Sequence, residues 1–195
     1  MRFEVANLVD SATQTVEIPW RDSDGTHFLD LRADAAAIAH IPSARENPPL
    51  AALLVALNGD RSIFRTIRAR VWSDLGPATP QEGNSSSFQS FIDFAFADVK
   101  LNTADQQQDV VRRLLDLWMK EPSTESFAAR LEVLPFRSEG APGNAAALRL
   151  VLIARGATVE QARMRWGLGV VKIQQSLLFV SRALRQKLGL ADSPG

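Results

Sequence analysis

An α+β fold is predicted for this 195-residue chain: a mixed N-terminal part over residues 1–140 and a helical unit over 145–190. Three observations predict it. The opening segments alternate polar and apolar residues and are rich in β-branched side chains, which is strand patterning. Thr103–Lys120 places apolar residues at helical spacing. After the turn-rich stretch Ser138–Asn144, apolar residues recur at intervals of three and four toward the C-terminus.

The elements follow in order. Arg2–Leu8 and Thr13–Pro19 read as strands, with Asp10-Ser11 as turn material and Asp22–Gly25 as a loop. His27–Leu31 alternates and reads as a third short strand, and Ala33–Ile41 is alanine-rich and helix-prone. Pro48-Pro49 opens a helix, where a first-turn proline is tolerated, and Asn58-Gly59 ends it. Asp60 is a suitable cap for a further helix from Arg61 to Ser73, with Ile63, Phe64, Ile67 and Val71 as its apolar stripe. Arg61, Arg65 and Arg68 fall on another face of that helix and are expected to be solvated, in weak ion pairs. Residues 76–87 form the least structured stretch and read as a loop or linker. Phe88–Leu101 reads as a strand, Thr103–Lys120 as a Thr103-capped helix buried on Val110, Val111, Leu114, Leu115 and Trp118, and Phe127–Phe136 as a strand. Three helices close the chain: Ala145–Arg155, Val159–Arg165 and Val170–Leu188.

Composition narrows the function classes. Apolar residues are 46% and charged residues 23%, a globular balance that supports a real core. There is no cysteine, which removes disulfides, thiolate nucleophiles and thiolate-ligated metals, and leans toward the cytoplasm. The N-terminus lacks an apolar signal core, and the longest apolar run, Leu50–Leu57, is about half of the ~18 residues a membrane span requires. A soluble cytoplasmic protein is expected. Net charge is zero but unevenly spread. From Ala146 onward eight basic residues face only Glu160 and Asp192, a local +6 that leaves −6 for the remainder. Such asymmetry hints at a polyanionic partner.

The C-terminal pattern of helix, Gly156-Ala157, short helix, Gly167-Leu168-Gly169 and long helix is the arrangement a helix-turn-helix requires. Thr158 is an N-cap with Gln161 three residues on, a capping-box spacing, and Ala162 is a small residue permitting close helix approach. Ile173, Leu177, Val180, Leu184 and Leu188 give the long helix a buried stripe. Lys172, Gln174, Gln175 and Ser176 cluster at its start, residue types that pair with base edges. Arg163, Arg165, Arg182 and Arg185 suit phosphates. Leu178 and Phe179 read as core, with a dimer contact as the alternative.

The run Ala147–Gly156, Thr158–Ala162, Gly167–Gly169 and the long helix resembles the helix-turn-helix of TrfB-type plasmid transcriptional regulators, over about the last 45 residues. Trp166 stands where that pattern has glycine, which shifts the turn by one residue. The resemblance implies operator binding as a dimer.

Catalytic chemistry has little support in the sequence. His27 and His40, the only histidines, are thirteen residues apart and read as structural rather than as metal ligands. Ser85-Ser86-Ser87 has no nucleophile elbow, and no phosphate-binding, dinucleotide-binding or metalloprotease motif occurs. The four tryptophans lie in separate elements and read as core. No enzyme activity, cofactor or metal is expected. The leading expectation is a dimeric, sequence-specific double-stranded-DNA-binding transcriptional regulator, its acidic N-terminal part dimerising or binding a protein partner. The alternative is a non-enzymatic protein-interaction module, such as an adaptor, immunity or assembly factor, using the C-terminal helices as its interface. That alternative requires an exposed apolar patch there.

Overall fold

The computed structural model describes residues 2–9, 14–23, 25–75, 86–120 and 127–190. In chain order the elements are β1 (Arg2–Asn7), β2 (Val16–Ile18), α1 (Pro42–Glu46), α2 (Pro48–Asn58), β3 (Phe64–Leu75), β4 (Ser86–Phe96), α3 (Ala104–Trp118), β5 (Phe127–Ser138), β6 (Ala146–Gly156) and α4 (Val159–Lys187). Short 3-10 turns cover Ala35–His40 and Val99–Leu101. The strands form one mixed sheet in the order β1-β5-β6-β4-β3. β1 and β2 run parallel to β5, one after the other along its outer edge, and the remaining pairs are antiparallel. The fold is α+β, as the patterning predicts.

Helices α2, α3 and α4 cover one face of the sheet. Alternate residues of the strands point at them: Ile92, Phe94 and Phe96 of β4, Ala129, Leu131 and Val133 of β5, and Leu148, Leu150 and Leu152 of β6. Leu50, Leu53, Leu54 and Leu57 of α2 and Val110, Val111, Leu114 and Trp118 of α3 meet them from above. A smaller apolar cluster on the opposite face joins Val16, Ile67, Ala95, Leu134, Phe136 and Ala147. The Thr103 cap is formed, its hydroxyl accepting from Gln106 N at 3.3 Å.

Three expectations are corrected. Arg61–Ser73 is not a helix; Phe64–Leu75 is the outer strand β3. A register shift between Thr66 and Arg68 leaves Ile67 as an extra residue, so Phe64 and Thr66 before it and Ala69 and Val71 after it face the helices. A bulge inside a period-two strand produces spacings of three and four that imitate a helix. Ala145–Arg155 is also a strand: β6 sits between β5 and β4, buried in part on both faces, so its apolar residues run on without alternation. Gly167-Leu168-Gly169 makes no turn, and α4 is one helix of 29 residues.

The boundary expected between 1–140 and 145–190 therefore passes through the β5–β6 hairpin, whose strands pair from Phe127 to Pro135, and Ser138–Asn144 is its turn region. His27–Leu31 makes only an isolated bridge, His27 to Arg21. Residues 76–85 of the expected linker lie outside the described residues, and Ser86-Ser87 belong to β4. Trp118 and Trp166 are core, whereas Trp20 and Trp72 are half-buried.

Candidate functional site: the C-terminal helix and the sheet it covers

Helix α4 begins at a well-made cap. Thr158 Oγ1 accepts from Gln161 N at 3.2 Å, and Gln161 Oε1 reaches back to accept from Ala157 N at 2.7 Å. Thr158 thus satisfies a first-turn donor as the Thr158–Gln161 spacing predicts, while Gln161 reaches back one residue past the cap, to Ala157 N rather than Thr158 N. Ala162, Trp166, Gly169, Val170, Ile173, Leu177, Val180 and Leu184 form the buried stripe. The two glycines are close-approach residues. A Cβ on Gly169 would lie 3.1 Å from the Phe127 ring and 3.2 Å from Leu152, and one on Gly167 would lie 3.3 Å from Pro49. Each glycine costs roughly 1 kcal/mol of helix propensity, and that cost is offset by seating α4 directly on the sheet and against α2.

The residues expected to read DNA do not converge. Arg163 donates to Asn47 Oδ1 at 3.1 Å and to the Glu46 carbonyl, and lies 5.8 Å from the Phe88 ring centroid. Arg165 donates to the Arg155 carbonyl at 2.6 Å. Ser176 is buried: its hydroxyl donates to the Lys172 carbonyl and accepts from Trp118 Nε1, both at 3.0 Å. Lys172 and Gln174 are half-buried, Gln175 and Arg182 are exposed, and Arg185 donates to the Asp60 carbonyl at 3.3 Å. At ~100° per residue these side chains fan over roughly 220° of the circumference of α4. No helix-turn-helix is formed here, because one partner helix is a strand and the turn is helical. Ser176 in particular cannot reach a base, since its hydroxyl is spent inside the core.

What the outward face of α4 carries instead is apolar. Met164 and Leu168 are each 63% exposed, Val171 43%, Leu178 38% and Phe179 59%. Leu178 and Phe179 are therefore surface, against the expectation of core. Met164, Leu168, Val171, Gln175, Leu178 and Arg182 follow one another at spacings of four and three, which is the seam of a paired helix. The strip is roughly 27 Å long at ~1.5 Å per residue, and exposes on the order of a few hundred Å². Glu160 lies one turn before it on the same side, and its carboxyl sits below the usual range through hydrogen bonds from its own backbone and Thr158. The four-three spacing is legible in the sequence, but only once the helix is known to run through Gly167–Gly169.

The other face of the sheet is charged at its centre. Asp93 and Glu132 are buried there. Arg149 forms a two-pronged bond to Asp93, at 2.7 and 2.9 Å, and stacks 4.7 Å from the Phe91 ring. Burial pushes the Asp93 carboxyl up, against the pull of Arg149. Arg130 pairs with Glu132, Arg65 with Asp30 and Arg68 with Asp22. Of the arginine row expected on a helix, Arg65 and Arg68 lie on β3 and are held in ion pairs, while Arg61 precedes the strand. Each of these four carboxylates is committed to a cation. Among the described residues no cluster of three His, Asp or Glu side chains suits a metal ion, and no helix is long and apolar enough to cross a membrane. His27 and His40 are exposed rather than built into the core. Compared with models of protein families, with characterised proteins and with solved structures, the chain gives no match in any of the three.

Proposed function

We propose that this protein is a non-enzymatic interaction module that pairs with a second copy of itself through the outward face of α4. The observation that supports this reading is the exposed Met164–Leu168–Val171–Leu178 strip at seam spacing, widened by Phe179. The charges favour an antiparallel pair. A two-fold axis at the level of Ile173 stacks Met164 on Arg182, Leu168 on Leu178 and Val171 on Gln175. The aliphatic stem of Arg182 then covers Met164, and its guanidinium reaches toward Glu160 of the second copy. A parallel pair stacks Arg182 on Arg182 and aligns the helix dipoles unfavourably.

Sequence-specific DNA binding, the reading implied by the TrfB-type resemblance, has a weaker footing. It rests on the excess of basic residues after Ala146, since Arg163, Arg165 and Arg185 are tied to backbone carbonyls and Ser176 is buried.

Sedimentation equilibrium across a concentration series tests the proposal. The wild-type chain is expected to dimerise, and Leu168→Asp to be a folded monomer with an unchanged far-ultraviolet circular dichroism spectrum. A wild-type monomer at all concentrations sinks the pairing. Titration with duplex DNA decides the other reading: no binding at ~50 mM salt removes it, and affinity falling steeply with salt restores it.

A further inference from the structure

β3 is an edge strand of the sheet, at the end opposite β1 and β2. Its outward backbone groups need partners other than a neighbouring strand. Over its first residues side chains supply them. Arg32 donates to the Ser62 and Phe64 carbonyls at 3.0 and 3.1 Å, Asn58 Oδ1 accepts from Thr66 N at 3.0 Å, and Trp20 Nε1 donates to the Ile67 carbonyl at 2.8 Å. Beside Ile67–Arg70 the covering chain stands away from the strand. Between the segment around Trp20–Leu31, the segment around His40–Ser43 and β3 lies a cavity of about 260 Å³.

Its lining is divided. Leu31 and Leu54, of the helix-side core, and Ile67, of the apolar cluster on the other face of the sheet, give it an apolar floor across the β3 edge. The rim carries Arg70, His27 and His40, all exposed. Asp22, the acid of the described lining, is already paired with Arg68, which also stacks 4.6 Å from the Trp20 ring. Arg70 has no ion pair or hydrogen bond among the described residues. The site thus joins an apolar floor to an unmatched guanidinium at the mouth. At roughly 30 Å³ per water-sized group, its volume holds about nine heavy atoms. Recognition of a carboxylate by a planar guanidinium is a strong, directional bond, stronger still beside an apolar wall.

We infer that this cavity binds a small apolar carboxylic acid as its carboxylate, the hydrocarbon lying on Leu31, Leu54 and Ile67 and the head group meeting Arg70. The site is separate from α4 and does not depend on its pairing. With Arg68 spent on Asp22, one unmatched guanidinium above a hydrocarbon floor matches a monoanion rather than a phosphate, which takes a cluster of cations.

Isothermal titration calorimetry of the full chain with octanoate, octanol and octylamine tests this. Ligands of this size reach a Kd of about 1 mM or below. Octanoate is expected to bind in that range and octylamine not to bind measurably. Arg70→Gln is expected to weaken octanoate by about tenfold while leaving octanol unchanged, as loss of one charge-assisted bond requires. Ser43→Trp, which fills the cavity from α1, is expected to abolish both. Absence of heat with octanoate at ~5 mM, equal binding of octylamine, or an unchanged octanoate affinity in Arg70→Gln overturns the inference. Should Ser43→Trp fail to fold, the octanoate–octylamine comparison on the wild type and the Arg70→Gln result decide it.

Discussion

Replacing Phe179 by alanine measures how much of the α4 face is a contact. Phe179 is 59% exposed in the single chain. A phenylalanine side chain presents roughly 200 Å² when bare, so about 100 Å² is available for a partner to cover. At ~25 cal/mol per Å² that is about 2.5 kcal/mol. An antiparallel pair about a two-fold axis counts it twice, about 5 kcal/mol, because the same residue contributes from both copies. Association returns only part of buried area as affinity. About half of the total, 2–3 kcal/mol, is therefore expected, a rise in dimer Kd of roughly 30- to 150-fold. The substitution raises helix propensity at an exposed site, so the fold itself is undisturbed. Sedimentation equilibrium or concentration-dependent light scattering reads the Kd directly. A change within twofold in a dimerising wild type shows that this end of the strip touches nothing, and refutes the antiparallel register about Ile173.

Four further outcomes are expected. A Cβ on Gly156, at the junction of β6 and α4, would stand 2.7 Å from Ala162 N and 3.0 Å from the Thr158 carbonyl. Backbone atoms cannot yield as side chains do, so Gly156→Ala should cost about 2–3 kcal/mol in denaturant unfolding, with Gly143→Ala, where nothing lies within 4 Å, as the near-neutral control. Arg149→Leu strands the buried Asp93 and should cost about 3–5 kcal/mol at neutral pH, with much of the loss recovered when Asp93 is also made leucine. In Arg149→Leu the Asp93 carboxyl, pushed up by burial, favours the folded state while protonated. Stability of that variant should therefore fall as pH rises through the Asp93 titration, seen as a lower Tm at pH 8 than at pH 5. For Asp109, burial opposes ionisation, but hydrogen bonds from Lys187 and Arg113 outweigh it and hold its pKa below the ordinary carboxylate value. Its contribution is present above the unfolded pKa of about 3.9 and is lost as pH falls through the lower folded value, so wild type and Asp109→Asn should differ at pH 7 and converge near pH 2 in thermal melts.

Where the patterning is local, the chain's residues declare their structure. Thr103 before an amphipathic run predicts α3, Pro48-Pro49 and Asn58 bracket α2, and the alternation of Phe127–Phe136 predicts β5. The Thr158–Gln161 pair marks the true start of α4. The helix ends depend on bonds spanning four residues or fewer, so the sequence contains both partners. β5 is legible because its alternation records one buried face, although its bonding partners β1 and β6 lie elsewhere in the chain. The same holds for the seam spacing from Met164 to Arg182, which is present in the sequence whether or not it is noticed.

What the tertiary structure alone decided is the state of segments whose apolar residues are satisfied from far away. Ala146–Gly156 is a strand because β4 and β5 bond it on either side, and burial on both faces erases the alternation that identifies a strand. Ile67 becomes a bulge because Trp20, forty-seven residues earlier, binds its carbonyl and β4 sets the register. Gly167 and Gly169 stay helical because Pro49, Phe127 and Leu152 occupy the space a side chain would take. Glycine at a close contact and glycine at a turn are the same letter. The difference lies in what stands opposite it, and that is supplied by chain more than a hundred residues away for Pro49 and forty-two for Phe127. With the strand and the unbroken helix in place, a segment that reads as a helix-turn-helix becomes one helix with its basic residues scattered and its apolar seam turned outward.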